Sequence, residues 1–487
     1  MQTHVEIEAK YDADPDQPLP DLIGVAGIAT VAVQAEMVLT ATYLDTAGHD
    51  LGAAKTTLRR RTGGTDDGWH LKLSLADGER LEVHRALGRS STPPVALTSL
   101  LRSLVRAGRL APVATLVNRR TVHQLLDEQG VVVAEMSDDF VTGERLDAEV
   151  PAVGWREVEI ELVEGDREAL ADLDAAMHSA GFSTAGGSSK VGRVLGSGPL
   201  PAPEVRRRTP AGEVLDAGLR GVVVDLLSAD PLLRLDRAGA ATRVRAVLRR
   251  LRAALALRRQ VRPDDVTTEL RAEVGWLDSV VAPLEHLDIA RDEIDAGQTG
   301  GVEPRMRREL AALRTEALSG VREALDSDRY LLLLDGLTAL THDDPLADTV
   351  TVRARALLPD LADRAAHRAE RRLAQVVRAQ SDQEQRFALV AARKAVERAR
   401  YAASLLPARL SLPGRPELLD QAAETLAGLD AVVSTQDTVL DLADRIHAAG
   451  ESTFALGRRH GAQELQADAL RRRLTVVRKA LKQVREG

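Results

Sequence analysis

The chain has 487 residues, 44% of them hydrophobic but only 2% aromatic, and a formal net charge of −8. That is too long for one ordinary domain, so two or three are expected, with cores of Leu, Val and Ala. Cysteine is absent, which excludes disulfides, thiolate metal sites and cysteine nucleophiles, and fits a reducing, cytoplasmic setting. No uncharged apolar run reaches the roughly 18 residues a membrane helix needs, and the N-terminus lacks a signal-peptide pattern.

The charge is unevenly spread. Residues 1–200 hold 19 Lys and Arg against 30 Asp and Glu, whereas residues 201–487 hold 46 against 43. An acidic half and a mildly basic half suggest two modules with different partners. The first opens on His4-Val5-Glu6-Ile7-Glu8-Ala9-Lys10, where charge alternates with apolar side chains. In a strand this puts Glu6, Glu8 and Lys10 on one face.

From Val38 to Glu161 the chain reads as strands and turns. Gly63-Gly64, Asp67-Gly68, Asp77-Gly78 and Gln129-Gly130 are hairpin signals. Charge returns at every second position: Arg59 and Arg61; His70 and Lys72; Arg80, Glu82 and His84; Arg119, Thr121 and His123; Glu157, Glu159 and Glu161. The outer strands of this series are acidic and the middle ones mainly basic. A solvated sheet face usually mixes signs along each strand. Three glutamates on one face repel unless cations lie among them, and carboxylate oxygens suit Mg²⁺ or Mn²⁺. Arg and Lys on facing strands suit a phosphate chain. The pattern describes a strand-walled cavity with acids for metal on one side and bases for phosphate on the other. Short helices are expected at Thr98 to Ala107 and Asp166 to Ala180, the second ended by Gly181.

These residues resemble the CYTH superfamily, the triphosphate tunnel metalloenzymes. Glu6-x-Glu8-x-Lys10 is similar to its signature. Leu58-Arg59-Arg60-Arg61 resembles its LRxR strand, and Leu71-Lys72 its TxK strand, with His70 in place of Thr. Arg80-Leu81-Glu82 resembles its RxE, Glu157 to Leu162 its acidic strand, and Ser189-Lys190 its closing SK. The resemblance implies an eight-stranded antiparallel β tunnel with flanking helices that hydrolyses or cyclises triphosphates with Mg²⁺ or Mn²⁺. It assigns metal to Glu6, Glu8, Glu159 and Glu161. It assigns phosphate oxygens to Lys10, Arg59, Arg61, Lys72, Arg80, Arg119 and Lys190. Arg119 is preferred to Arg120 because Arg119 lies on the polar parity of its strand. Glu135, Asp138 and Asp139 stay open as a further acid. The module's aromatics, Tyr11, Tyr43, Trp69, Phe140, Trp155 and Phe182, are scattered. No base-stacking cluster is formed, which favours inorganic triphosphate over a nucleotide and gives no reason to expect nucleic acid. An adenylate cyclase of class IV type and a polyphosphate binder with little turnover are the alternatives.

The first module is expected over residues 1–198, a Gly- and Pro-rich linker with Arg206, Arg207 and Arg208 over 199–211, and an all-α module over 212–487. Helical spacing predicts nine helices there, over 212–227, 237–259, 264–281, 303–325, 328–340, 350–378, 382–405, 416–447 and 460–485. Residues 242–257 align with 390–405 at an offset of 148, so two related helical bundles are expected. This half resembles the CHAD domain, an α-helical module associated with polyphosphate. Arg249-Arg250-Leu251-Arg252 and Arg398-Ala399-Arg400-Tyr401 carry the likeness. Arg245, Arg249 and Arg252 stack along one helix face, and with Arg393 and Arg400 they are the candidate polyphosphate contacts. Thr242 and Val390 replace the family's histidines, and Glu285-His286 replaces an Arg-Asp pair. Glu397, at a basic position, is expected to pair with Arg393.

Overall fold

The computed structural model describes residues 2–75, 79–186, 189–196, 205–295, 304–343, 345–448 and 454–486. The turn expected at Asp77-Gly78 and linker residues 199–204 lie outside the described residues. The chain divides into two compact units, residues 1–200 and 201–487.

The first unit is built on one antiparallel sheet. Its strands are β1 (Gln2–Glu6), β2 (Glu8–Ala13), β3 (Thr30–Val33), β4 (Met37–Asp45), β5 (Thr57–Thr62), β6 (Gly68–Ser74), β7 (Arg80–Ala86), β8 (Ala111–Leu126), β9 (Val132–Arg145), β10 (Val153–Leu162) and β11 (Ser183–Thr184). The order is β1-β7-β6-β5-β4-β8-β9-β10-β2-β11, with β3 beside β8. Only Ile7 separates β1, at one edge, from β2, paired to β10 at the other. The Leu162 amide donates to the Ile7 carbonyl at 3.0 Å. The sheet therefore closes on itself through the opening segment. Counting β1 and β2 as one wall and setting aside the short β3 and β11, the tunnel has the expected eight strands.

Each wall strand alternates sides. Tyr11, Val158 and Ile160 point outward into an apolar layer with Leu173 and Met177 of the helix Arg167–Ser179. Asp166 caps that helix, accepting from the Ala169 amide at 2.9 Å, and Gly181, at φ 85°, ends it. The opposite parity, with Glu6, Lys10, Glu159 and their neighbours, faces the tunnel. The hydrophobic effect on the outer face thus fixes which side chains turn inward. A second short helix, Lys190–Leu195, packs Val191 and Leu195 against Ala41, Tyr43, Leu116 and Val141. Ser189 caps it by accepting from the Gly192 amide at 3.1 Å.

The second unit has nine helices among the described residues, with the Pro231 and Pro283 positions inside helices Ala211–Arg234 and Asp265–Asp295. These helices run past residues 227 and 281, the ends expected from spacing, and continue through their prolines. Four helices, Ala211–Arg234, Ala240–Val261, Asp265–Asp295 and Pro304–Asp326, are repeated as Ala354–Arg378, Asp382–Ser404, Arg415–Ala448 and Phe454–Glu486, with Asp328–His342 between. Equivalent positions meet at the middle: His286 Nε2 lies 3.2 Å from Ser434 Oγ, 148 residues away.

Gly63, in the β5–β6 turn, has φ +100°, and a Cβ there would lie 2.1 Å from the Val38 carbonyl oxygen. Gly63→Ala should therefore destabilise the first unit by about 1–3 kcal/mol, as overpacking does. Chemical denaturation checks this, and an unchanged midpoint would contradict it.

Candidate active site: a charged tunnel and a basic helical cavity

The tunnel encloses about 650 Å³. Its lining includes seven carboxylate side chains, Glu6, Glu8, Asp66, Glu82, Glu135, Glu159 and Glu161, and seven cationic ones, Lys10, Arg59, Arg61, Lys72, Arg80, Arg120 and Lys190. Register sets the neighbours: Glu8 lies opposite Glu161, Lys10 opposite Glu159, and Lys72 opposite Glu82.

Glu159 is the most heavily paired acid. It takes Lys190 at 2.8 Å, Arg120 at 2.9 Å and a short contact from Lys10. Burial alone would raise its carboxyl, but these three cations hold it well below the usual range. Lys190 reaches three acids, at 2.5 Å from Glu157, 2.8 Å from Glu159 and 3.0 Å from Asp139. Lys10 also lies 3.0 Å from Glu8. Burial opposes ionisation of Glu8, yet Lys10 leads the charges that keep its carboxyl low.

At the other end of the acidic wall the balance reverses. Lys72 Nζ meets both Glu6 oxygens at 2.8 Å and Glu82 at 3.1 Å. Even so, burial and the adjacent Glu82 push the Glu6 carboxyl up to about 7. Burial also raises Glu161, with Glu8 across from it adding repulsion. Arg80 Nε is 3.8 Å from Glu8. Arg59 donates to the Tyr43 hydroxyl at 3.2 Å. Arg61 pairs with Asp66 of the β5–β6 turn, and burial followed by repulsion from Arg59 lowers it to about 10.

The structure brings Glu6, Glu8, Lys10, Arg59, Arg61, Lys72, Arg80, Glu159, Glu161 and Lys190 together around the cavity. Arg119 is not among them. It lies on the outer face, exposed, with Glu36 at 3.0 Å. Arg120 turns inward and grips Asp139 at 2.7 and 2.5 Å. Polarity misled the strand reading because β8 puts Leu116 and Asn118 inward with Arg120, so the inner parity is not the more polar one. Of the three undecided acids, Asp139 is fully buried between Arg120 and Lys190. Glu135 lines the tunnel, and Asp138 pairs with Arg156 at 2.8 Å. Sequence reasoning placed Glu82 and His70 on charged strand faces but gave no site role to them or to Tyr43; the His70 ring lies between Glu82 and the Asp66 carbonyl. The inward parity of β4, β6 and β7 was their signal.

Glu6, Glu8, Glu159 and Glu161 bring carboxylate oxygens, the donor type a hard divalent ion prefers, into the lining of this cavity. Oxygens of Asp139, Glu157 and Glu159 also come within 4.8 Å of one another, but there the Lys190 ammonium is the cation.

In the helical unit Arg245, Arg249, Arg252 and Arg393 line one cavity of about 300 Å³, with Arg271, Lys394, Arg398, Asp278, Glu397, Asp430 and His286 also in its wall. Arg400 lies instead in a second cavity, with Asp420 at 2.7 Å and Glu397 at 3.2 Å. The expected Glu397–Arg393 pair is not formed, since Arg393 pairs with Asp430 of the helix packed beside it.

A closed antiparallel tunnel followed by a duplicated helical bundle defines a CYTH domain joined to a CHAD domain. The CYTH domain profile matches residues 4–185 and the CHAD domain profile residues 217–443. The chain belongs to this CYTH–CHAD family, together with uncharacterized protein Rv2226 of Mycobacterium tuberculosis. That relative is 30% identical over 99% of this chain and 98% of its own length. Among solved structures, the CHAD domain of the plant Ricinus communis is similar over 56% of this chain and 95% of its own, at 21% identity and a TM-score of 0.46. A Hippeastrum adenylyl cyclase described as having a dominant triphosphatase activity is similar over 40% of this chain and 98% of its own, at 18% identity and a TM-score of 0.26. CYTH domains are triphosphate tunnel domains, and CHAD domains are associated with polyphosphate.

Arg120→Ala removes one partner from a buried network and should cost about 3 kcal/mol of stability. Arg119→Ala should leave the unfolding midpoint where it is. Equal effects in thermal melts would contradict the inward placement of Arg120.

Acid should loosen the same network. The folded values of Glu159, Asp139 and Glu82 are depressed, so their stabilisation is complete above the ordinary carboxylate range and fades as pH falls through it and below. Melting temperature should fall below about pH 4.5, and Lys190→Ala should flatten that fall. A parallel curve for the variant would contradict this reading.

Proposed function

We propose that the tunnel hydrolyses inorganic triphosphate or a close relative with Mg²⁺ or Mn²⁺, and that the helical unit binds phosphate chains. The observation that carries the first part is the charge balance of the cavity. Seven cations and seven carboxylates line it, with Glu6, Glu8, Glu159 and Glu161 gathered on β1, β2 and β10 and the arginines on β5, β7 and β8. A bare polyanion entering such a site adds negative charge to a neutral cavity. A phosphate chain that arrives with a divalent cation brings less net negative charge and gives each wall its complement.

Glu6, Glu8, Glu159 and Glu161 would hold the ion, which supplies Lewis-acid polarisation of the phosphoryl oxygens. The remaining work falls to the side chains already in place. Arg61, Lys72, Arg80 and Arg120 exchange carboxylate partners for phosphate oxygens, Arg59 joins them from beside Tyr43, and together they fix the chain in line for attack by water. Lys10 and Lys190, beside Glu159, oppose charge building on the terminal phosphoryl group. The Tyr43 hydroxyl accepts from Arg59, which leaves its own proton free to donate to a phosphate oxygen. The buried carboxylates that now neutralise these cations keep the site intact before substrate arrives.

Phosphate release from tripolyphosphate with Mg²⁺ or Mn²⁺, beside ATP, tests the proposal. Release from tripolyphosphate with little from ATP is the expected result. Glu8→Gln should abolish it while the protein stays folded. No release from either compound sinks the enzymatic reading, and cyclic AMP formed from ATP would replace it with a cyclase.

A further inference from the structure

The two cavities of the helical unit are related by the internal repeat but differ in charge. The first, of about 300 Å³, is lined by seven cationic side chains and three carboxylates, and the second, of about 450 Å³, by three of each. The offset of 148 residues explains the difference position by position. Arg252 of the first cavity corresponds to Arg400 of the second. Arg271 corresponds to Leu419, and Lys394 to Ala246, so two cations of the first have no counterpart. The acids Asp420 and Glu424 of the second correspond to Ala272 and Trp276. The first cavity therefore carries the extra bases and the second the extra acids.

Within the first cavity some cations are already satisfied. Arg245 is held by Asp278 at 3.1 Å and by Glu285, and Arg393 by Asp430. Glu397 is turned away to Arg400. Arg249, Arg252, Arg271, Lys394 and Arg398 remain, with Asp278 only 3.8 Å from Arg252 as a shared acid. Nη1 of Arg249 and Nε of Arg271 and Arg398 are buried with no hydrogen-bond partner. Burial, then Arg368 and Arg271, lowers Arg398 to about 10. Burial and neighbouring cations also lower Arg249, Arg271 and Lys394. Crowded, partnerless guanidinium groups around an enclosed volume lack an anion.

We infer that this cavity is a one-sided site for the end of a phosphoanhydride chain, held by Arg249, Arg252, Arg271, Lys394 and Arg398, and that the related cavity around Arg400 takes no anion. The inference rests on the phosphate-binding reading of the helical unit and adds which of its two cavities binds, and which part of the chain. The second cavity, with three cations and three carboxylates, gives a chain no reason to continue into it from the first.

The test uses the full chain carrying Arg59→Ala and Arg61→Ala, so that the tunnel contributes little. Calorimetry with tripolyphosphate and with long-chain polyphosphate reads the affinity per chain. Arg271→Ala with Arg398→Ala should weaken both ligands about tenfold or more, and Arg400→Ala should change neither appreciably. Both ligands should bind with similar affinity per chain end. An equal loss from Arg400→Ala, or an affinity that climbs in proportion to chain length, overturns the one-sided end site and leaves helical phosphate binding standing. No binding of either ligand by the parent overturns both.

Discussion

Everything in the tunnel depends on one arrangement, the Glu159 carboxylate held by Lys10, Arg120 and Lys190 at once. These cations come from β2, β8 and the helix after β11, so a single buried acid ties the two ends of the first unit to its middle. A buried carboxylate survives only if its desolvation is repaid by such neighbours. The same grouping makes the site chemically poised. Cations crowd around one acid here, while burial raises the carboxyls of Glu6 and Glu161 on the same wall, whose charged forms a bound divalent ion would favour.

Much of this was legible in the sequence because strand alternation is a rigid rule. Once Val158 and Ile160 are assigned to a core, Glu157, Glu159 and Glu161 must face the other way. The acids of β1, β2 and β10 and the bases of β5 and β6 follow from that parity alone. β8 was harder. Its inner face mixes Leu116 and Asn118 with Arg120, while its outer face carries Arg119, so polarity pointed the wrong way. Choosing among Glu135, Asp138 and Asp139 needed pairing. Asp139 sits opposite both Arg120 on β8 and Glu157 on β10, and no single strand reveals that.

The helical unit shows the same limits at larger scale. Nine helices and their duplication followed from spacing, and the fold preserves both. The partners of the arginines did not follow, because they come from helices distant in sequence. Arg245 is answered by Asp278 and Glu285, and Arg393 by Asp430, so stacking along one helix face says little about which charges remain free. What an arginine does there is decided by the helix it faces.

The central claim is that metal and phosphate chain enter the tunnel together, the ion offsetting part of the chain's charge. Calorimetric titration of tripolyphosphate into the full chain carrying Arg271→Ala and Arg398→Ala, with Ca²⁺ present or with chelator, tests it most directly. Tight binding with the divalent ion and weak binding without it is the predicted result, with Lys190→Ala weakening both. Equal affinity in the two conditions would contradict the claim.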